Sequence, residues 1–164
     1  MKVIVVTGAP GAGKTTLLPQ LMEVLPSAAA FLDGDDVGRT RPANLTAERL
    51  NLIQDNMLAC ARNFAGWGAA YLVACFCLPS QERLDRLRTL LRAEGFPVLA
   101  VGLILDDEVL AGRHEGSEYI AEALRCNAGV KALSGVMTID TTALSPEQTA
   151  RAIAEAAGHD AFFS

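Results

Sequence analysis

The feature that most constrains this chain is a glycine-rich turn near its start, Gly8-Ala9-Pro10-Gly11-Ala12-Gly13-Lys14-Thr15. It matches the pattern G-x-x-x-x-G-K-[ST], in which each fixed position has a mechanical reason. Glycines let the backbone wrap closely around an anion with its N–H groups pointing inward. A helix that starts at the lysine directs its positive end at the same anion. The turn therefore predicts a phosphate-binding loop.

The residues on either side of this loop have the context that the pattern requires. The preceding run, Lys2–Thr7 (KVIVVT), is continuous and β-branched, which is typical of a strand buried on both faces. The following stretch, Lys14–Leu25, is predicted to be a helix. In such a loop Lys14 reaches the β- and γ-phosphates of a nucleotide, and the Thr15 hydroxyl can ligate Mg²⁺.

Short apolar runs alternate with amphipathic stretches along the rest of the chain. Further strands are predicted over 28–32, 70–77, 97–105 and 136–140. Helices are predicted over 46–65, 80–94, 106–112 and 118–126, and from residue 145 onward. Thr46 is a predicted N-cap, and Ser145 with Gln148 has the spacing of a capping box. This alternation predicts an α/β fold of three layers, with a five-stranded parallel sheet between helices.

Three carboxylates follow the second predicted strand, at Asp33, Asp35 and Asp36. In an open parallel sheet, ligands bind beyond the carboxyl ends of the strands, so this acidic turn and the phosphate loop are expected at the same edge. Carboxylates this close repel one another, and a cation or a hydroxyl donor would relieve that repulsion. Asp33 is a candidate Mg²⁺ group and Asp35 a candidate proton acceptor, while a solvated Asp-Gly turn is the alternative.

Composition excludes several classes of protein. The 164 residues fit one domain, 1–164, and 51% hydrophobic residues indicate a folded core. A net charge of −5 disfavours a nucleic-acid-binding surface, which needs a basic face. We find no signal-peptide pattern and no run as long as a membrane helix. We therefore expect a cytoplasmic monomer or homodimer that acts on a small molecule, not on a nucleic acid or a membrane.

The four cysteines, Cys60, Cys75, Cys77 and Cys126, include no C-x-x-C pair. This spacing disfavours both a zinc site and a disulfide framework. Cys75 and Cys77 lie in an apolar run, where a free cysteine behaves as a small buried hydrophobe. A redox pair is the alternative for these two residues.

The sequence GAPGAGKTT together with the later FLDGDD resembles the small P-loop kinases of metabolites. That group includes gluconate kinases, adenylylsulfate kinases, shikimate kinases and chloramphenicol phosphotransferase-like proteins, which share an Asp-x-Asp turn after strand two. The stretch 139–145 also resembles their last strand and the start of their last helix. The resemblance implies the P-loop NTPase fold, phosphoryl transfer, and ATP and Mg²⁺ as cofactors.

The resemblance also implies a role for each part of the nucleotide site. Thr142, in the loop 140–144, would lie near the adenine. Asp33 would organise Mg²⁺ together with Thr15. The residues implied to hold the ATP phosphates are Gly8, Ala9, Pro10, Gly11, Ala12, Gly13, Lys14, Thr15 and Thr16.

For the acceptor, the resemblance implies that Asp35 would meet the attacking hydroxyl as base or binder. The acceptor-binding region would be helical and span about 36–68. Arg113 would start a short lid over about 112–127 and touch the transferring phosphoryl group. Arg39 and Arg41 suit carboxylate or phosphate recognition and are candidate substrate contacts, and they fit exposed loop cations equally well.

The chain departs from related enzymes at its lid and at its third strand. Nucleoside monophosphate kinases carry several lid arginines, whereas here only Arg113 is well placed and Arg125 falls on a predicted helix. The third strand ends in CFCL, at 75–78, where motor ATPases have the Walker B acid. The missing acid argues against a motor ATPase of the AAA+, RecA-like or ABC type. A GTPase is also disfavoured, because the sequence has no NKxD-like guanine motif.

Four other features are predicted to have structural roles. The arginines of the helix over 80–94 alternate with acids, which predicts a solvated face for Arg83, Arg86, Arg88 and Arg92. Trp67 is predicted to pack, with a pocket aromatic as the alternative. His114 is predicted to lie on the surface, with a phosphate contact as the alternative. Phe162 and Phe163 are predicted to fold back onto the sheet or to be disordered.

Taken together, the sequence predicts a kinase that moves the γ-phosphoryl group of ATP to a hydroxyl of a small molecule. The Asp-Gly-Asp turn favours this reaction because a hydroxyl acceptor must lose a proton. A nucleoside or nucleotide kinase is a second hypothesis, although a phosphate acceptor needs more arginines than this lid has. A non-catalytic ATP-binding switch is a third hypothesis.

Overall fold

A single parallel sheet organises the molecule. The structure, a computed structural model, describes residues 1–25, 28–42 and 46–163. Within these residues the sheet has five strands in the order β2-β3-β1-β4-β5, and all four neighbouring pairs are parallel. The strands are β1 (Lys2–Gly8), β2 (Ala29–Asp33), β3 (Tyr71–Cys75), β4 (Val98–Ile104) and β5 (Met137–Asp140). The predicted α/β fold is confirmed.

Helices connect the strands and cover both faces of the sheet. Over the described ranges they are α1 (Lys14–Val24), α2 (Ala47–Trp67), α3 (Gln81–Ala93), α4 (Asp107–Arg113), α5 (Ile120–Lys131) and α6 (Pro146–Gly158). Short 3₁₀ turns follow β2 at Asp36–Gly38 and α6 at Asp160–Phe162. Among the described helices, none has the length and apolar character needed to cross a bilayer.

The central strand shows why the fold has three layers. Val3 and Val5 point into the cluster formed with α2 and α3, whereas Ile4 and Val6 point into the cluster formed with α1, α5 and α6. All four side chains are fully buried. Because side chains alternate along a strand, a continuous apolar run such as β1 needs helices on both faces.

Side-chain caps begin four of the described helices, at Thr46, Ser80, Asp106 and Ser145, and the sequence predicted those at Thr46 and Ser145. The Thr46 hydroxyl accepts a hydrogen bond from the backbone N–H of Arg49, and Ser80 caps α3 in the same way. At α6 both halves of the capping box form, because Ser145 and Gln148 each accept from the other's backbone N–H. These caps satisfy N–H groups that a helix leaves unpaired at its start.

Several predicted boundaries were wrong by two to five residues. Helix α2 continues past Gly66 to Trp67 and ends at Gly68, whose φ of 99° is the left-handed conformation typical of a helix end. Strand β3 ends at Cys75 and not at residue 77. The Phe76 N–H still bonds to the Val6 carbonyl of β1, but the Leu78 N–H bonds to the Thr7 side-chain hydroxyl. Helix α5 runs on to Lys131 because its later turns are also buried.

Three predictions about individual side chains were also wrong or incomplete. Trp67 does not pack, since it is 69% exposed. Arg88 is buried and not solvated, and its guanidinium donates to the carbonyls of Ser134 and Gly135 between α5 and β5. Phe163 folds back onto the core as expected, beside the Lys2 ammonium, whereas Phe162 stays half exposed.

Candidate active site

The glycine-rich turn forms a loop between the end of β1 and the start of α1. Gly11 and Gly13 have φ values of 77° and 91°, in the left-handed region that residues with a side chain rarely adopt. Helix α1 begins directly at Lys14, so its N-terminus and its positive dipole end face the loop. This local geometry fits the predicted phosphate-binding loop.

Three basic side chains hold the backbone carbonyls of this loop. The Lys14 ammonium donates to the carbonyl oxygens of Gly8 and Ala9 at 2.8 and 2.9 Å. Arg113, the last residue of α4, donates to the Gly11 carbonyl at 2.9 Å. His114 lies against the Pro10 carbonyl oxygen at 3.0 Å. The prediction of a surface role for His114 was therefore wrong, because its ring is half-buried against the loop.

Asp33 lies at the same edge of the sheet as the phosphate loop. It ends β2 opposite Cys75 of β3, and Cys75 is in turn paired with Val6 of β1. The Thr15 hydroxyl donates to one Asp33 carboxylate oxygen at 3.2 Å, and the Asp35 backbone N–H donates to the other at 3.0 Å. The two side chains predicted to hold Mg²⁺ are therefore in contact, and their role as a metal site stays a prediction.

These two side chains fit the ion that the fold family implies. Mg²⁺ prefers oxygen donors and is commonly held by one or two carboxylates, water and substrate phosphates, without a full protein cage. The pair of Thr15 and Asp33 offers such a partial set. Over the described residues, no group of three or more His, Cys, Asp or Glu side chains is placed to hold a metal ion.

A cavity of about 240 Å³ lies on the α1 side of the loop. Its walls include Gly13, Thr16, Leu103, Arg113, Thr141 and Leu144. Thr142 does not line this cavity. Its hydroxyl accepts a hydrogen bond from the Asp106 backbone N–H at 2.8 Å. The adenine contact predicted for Thr142 stays a prediction, while Thr141 and Leu144 from the same loop form part of the wall.

Thr142 also fixes the end of β5. Its backbone N–H donates to the Asp140 carboxylate at 2.9 Å. Hydrogen bonds from the Thr142 side chain and backbone hold the pKa of Asp140 below its usual range. Thr142 thus braces the loop that carries Thr141 and Leu144.

A second cavity, of about 380 Å³, lies on the other side of the phosphate loop. Its walls include Pro10, Asp35, Phe76, Cys77, Leu78 and Arg83. Asp35 was predicted as an acceptor residue, but the sequence assigned Arg83 to a solvated helix face. Glu122 and Cys126 of α5 also reach this cavity and were not predicted.

Arg39 and Arg41 are not among the residues that line either of these two cavities. The exposed Arg39 donates to the Asp36 carboxylate at 2.7 Å. Arg41 lines a separate shallow cavity together with Thr40 and Glu48. The structure therefore agrees better with exposed loop cations, and a substrate role for the two arginines stays a prediction.

Two thiols face the second cavity and interact with each other. A hydrogen bond from Cys126 lowers the pKa of the Cys77 thiol, and the same contact raises the pKa of Cys126. The neighbouring Cys75 is fully buried, and burial raises its pKa to about 12. Cys75 therefore is the small buried hydrophobe that the sequence predicted, whereas Cys77 is a partly accessible thiol.

The sequence matches one family of known domains. The model of a family described as an AAA domain matches residues 3–125. The sequence argument against an AAA+ engine disagrees with this family name. The observation behind that argument holds, since Cys75 and Phe76 occupy the end of β3 where a Walker B acid would stand. No curated protein matches the chain.

Solved structures of similar fold include kinases and a resistance protein. The Deinococcus radiodurans tunicamycin resistance protein has a TM-score of 0.73 at 22% identity, over 96% of this chain and 95% of its own. A sugar kinase from Janibacter sp. HTCC2649 has a TM-score of 0.66 at 24% identity, over 96% and 92%. The Mycobacterium tuberculosis APS kinase in complex with AMPPNP and APS has a TM-score of 0.67 at 16% identity, over 94% and 95%. At these identities the likeness is one of fold.

Proposed function

Because the chain belongs to the AAA domain family and has the fold of small P-loop kinases, we propose that it is an ATP-dependent phosphotransferase. The reaction moves the γ-phosphoryl group of ATP to a hydroxyl group of a small molecule. Two proteins of similar fold, a sugar kinase and an APS kinase in complex with AMPPNP and APS, support this class of reaction. We assign the activity to the cytoplasm, where ATP is supplied.

The observation that carries the proposal is that two cavities flank one phosphate loop. Gly13 lines the first cavity and Pro10 lines the second, and these residues lie only three positions apart. In the proposal the first cavity takes the nucleotide and the second takes the acceptor. Asp35 is the carboxylate of the second cavity nearest in sequence to the Mg²⁺ pair, which suits a residue that handles the acceptor's proton.

Separate residues would accept the proton, stabilise the developing charge and hold Mg²⁺. Asp35 would accept the hydroxyl proton while the acceptor oxygen bonds to the γ-phosphorus and the bond to the bridging oxygen of ADP breaks. Lys14, Arg113 and the loop amides would stabilise the negative charge that develops. Thr15 and Asp33 would hold Mg²⁺, which when bound neutralises charge on the phosphate oxygens.

The proposal is tested by ADP release with a panel of acceptors, with phosphorylated products identified by mass spectrometry. The panel contains sugar acids, shikimate, adenylylsulfate, nucleosides, nucleoside monophosphates and uncharged alcohols. At least one acceptor should raise ADP release above the rate with ATP alone. A panel in which none does so, with nucleotide binding intact, would contradict transfer and favour an ATP-binding switch.

A lysine pair provides the control for the phosphate loop. Lys14→Ala should abolish nucleotide-dependent activity because the ammonium that faces the loop is lost. Lys131 is the last residue of α5, and its ammonium is bound to Asp107. Lys131→Ala removes this ammonium and should leave the activity intact. Normal activity of Lys14→Ala would show that the loop does not bind the phosphates.

A further inference from the structure

The second cavity has a mostly apolar wall. Phe76 and Leu78 are 5% and 1% exposed and follow β3 at the edge of the sheet, and Leu50 and Pro79 extend this apolar surface. At about 380 Å³ the cavity falls in the size range of small-molecule sites. Such a wall stabilises an apolar body by removing it from water.

The charges on the wall are unsuited to an anionic ligand. Among the described residues that line the cavity, Arg83 is the single cation, whereas Asp35 and Glu122 are carboxylates. Glu122 is ion-paired with Arg125 on the same helix. A carboxylate or a phosphate on the acceptor would therefore meet one like charge, Asp35, and one opposite charge, Arg83, with no net attraction. Sites that bind such anions usually place several arginines, or one bidentate arginine, directly against them.

Two polar side chains of the wall, Arg83 and Gln54, already make hydrogen bonds within the protein. Arg83 donates through Nη1 to the Asn51 side-chain oxygen at 2.7 Å. The Gln54 amide nitrogen donates to the Arg83 carbonyl at 2.7 Å, and its oxygen accepts from Arg86 at 3.0 Å. Arg83 is therefore tied to α2 through Nη1, which leaves fewer of its donors for an anion.

We propose that the acceptor is an alcohol with an apolar body and no anionic group, bound in the cavity lined by Asp35, Phe76 and Leu78. This inference rests on the proposed phosphotransfer and specifies its substrate class. It predicts that sugar acids, adenylylsulfate and nucleoside monophosphates are poor acceptors. The Asp35 carboxylate then faces the one polar group that such an acceptor must present, its hydroxyl.

A matched pair of small molecules tests the proposed class of acceptor by binding alone, without relying on catalysis. We would measure binding of 4-methylbenzyl alcohol and of 4-(hydroxymethyl)benzoate to the full chain by ligand-observed NMR, with AMPPNP and Mg²⁺ present. The two probes share a shape and differ by a methyl in place of a carboxylate. The alcohol should bind at least about tenfold more tightly, a difference of about 1.4 kcal/mol. Equal or tighter binding of the carboxylate, or no binding of the alcohol, would overturn the proposal.

Two variants of one helix locate the effect in the cavity. Leu50→Arg adds a cation to the wall and should bring the two affinities together or reverse their order. Leu52→Arg adds the same charge on α2 at a 44% exposed position outside this cavity, and should leave the preference unchanged. A shift of equal size in both variants would mean that net charge, and not the cavity, sets the preference.

The acceptor panel separates this inference from the proposed reaction. If the alcohol binds as expected but no panel member yields a phosphorylated product, the reaction fails while the ligand class of the cavity stands. If an anionic acceptor is phosphorylated with a KM equal to or lower than that of the uncharged alcohols, the proposed acceptor class is wrong, while the proposed phosphoryl transfer stands.

Discussion

The Nε2 atom of His114 lies 3.0 Å from the carbonyl oxygen of Pro10, although 104 residues separate the two in the chain. The adjacent Arg113 donates to the next carbonyl of the loop, that of Gly11. Together with the two bonds from Lys14, basic side chains thus engage four consecutive carbonyls, those of residues 8–11. The segment after α4 is thereby fixed to the phosphate loop.

We expect His114→Ala to weaken nucleotide binding by about fivefold. A partly buried hydrogen bond contributes about 1 kcal/mol, and its loss would free both the loop and Arg113. Calorimetric titration with an ATP analogue measures the change. The chain's other histidine provides the control, since His159→Ala alters an exposed ring at the end of α6 and should not affect binding. Equal affinities for all three proteins would show that the contact does not order the loop.

A second change tests the same contact from the side of the loop. A Cβ atom on Gly11 would come within 2.6 Å of His114 Nε2, at a backbone φ of +77°. Gly11→Ala should therefore weaken nucleotide binding through both a clash and backbone strain. Combining it with His114→Ala removes the clash, so the double variant should bind better than the sum of the two losses predicts. Strict additivity would contradict a direct contact.

Asp35→Asn is expected to lower kcat by about 10²–10⁴ while the affinity for nucleotide stays unchanged. An amide cannot accept the hydroxyl proton, but it occupies the same space in the wall of the second cavity. Steady-state kinetics with the best acceptor, together with nucleotide titration, separate the two effects. Asp36→Asn is the matched control, because its carboxylate pairs with the exposed Arg39 and lies outside this cavity. Parallel losses of kcat and nucleotide affinity in Asp35→Asn would point to a Mg²⁺-linked role instead.

Asp33→Asn should act differently from Asp35→Asn. Its carboxylate accepts the Thr15 hydroxyl, so the substitution weakens the predicted Mg²⁺ site and leaves the second cavity intact. We therefore expect the Mg²⁺ concentration for half-maximal activity to rise several-fold, with partial recovery at high Mg²⁺. Titration of activity with Mg²⁺ measures this shift. An unchanged requirement would remove Asp33 from the metal site.

The parts of the site that lie close together in sequence were predictable. The phosphate loop is read from eight consecutive residues, and Asp33 follows from the rule that strands of a parallel sheet end at a common edge. The wall of the second cavity was not predictable in this way. Arg83 and Glu122 belong to α3 and α5, which pack on opposite faces of the sheet, so only the tertiary fold brings both side chains to one cavity and no local pattern signals it.

The burial of Arg88 was also not predicted, although here the sequence did contain a signal for it. Leu84, Leu87 and Leu91 form the buried stripe of α3, and a residue at 88 falls on the same stripe by helical periodicity. The prediction of a solvated Arg88 relied on the alternation of charges along the helix and not on this periodicity. Helical periodicity is the stronger guide to burial, because the geometry of the helix fixes which side chains face the core. Charge alternation is weaker, because charged residues are exposed only on average.

Arg88→Met is therefore expected to destabilise the fold by about 1–3 kcal/mol. The guanidinium satisfies the carbonyls of Ser134 and Gly135, and these would be left without their donor. Burial lowers the pKa of Arg88, so holding its charge at this site has a cost in free energy. Urea unfolding measures the difference. Arg92→Met on the exposed face of α3 should change stability by less than about 1 kcal/mol, and equal effects would contradict the bracing role.

Cys77 is expected to react with iodoacetamide faster than Cys75 or Cys126. The hydrogen bond from Cys126 and the Lys14 charge lower the pKa of Cys77, against the opposing effects of burial, Asp35 and Glu122. A lowered pKa means that more thiolate exists at pH 7–8 than in a thiol of ordinary pKa 9.0, so alkylation should level off at a lower pH. Because Cys77 lines the second cavity, 4-methylbenzyl alcohol should slow its reaction, whereas Cys60 on α2, outside that cavity, should show no protection. Peptide mass spectrometry over a pH series measures both effects. Faster labelling of Cys75, or labelling of Cys77 that the alcohol leaves unchanged, would contradict the placement of the thiol in the acceptor cavity.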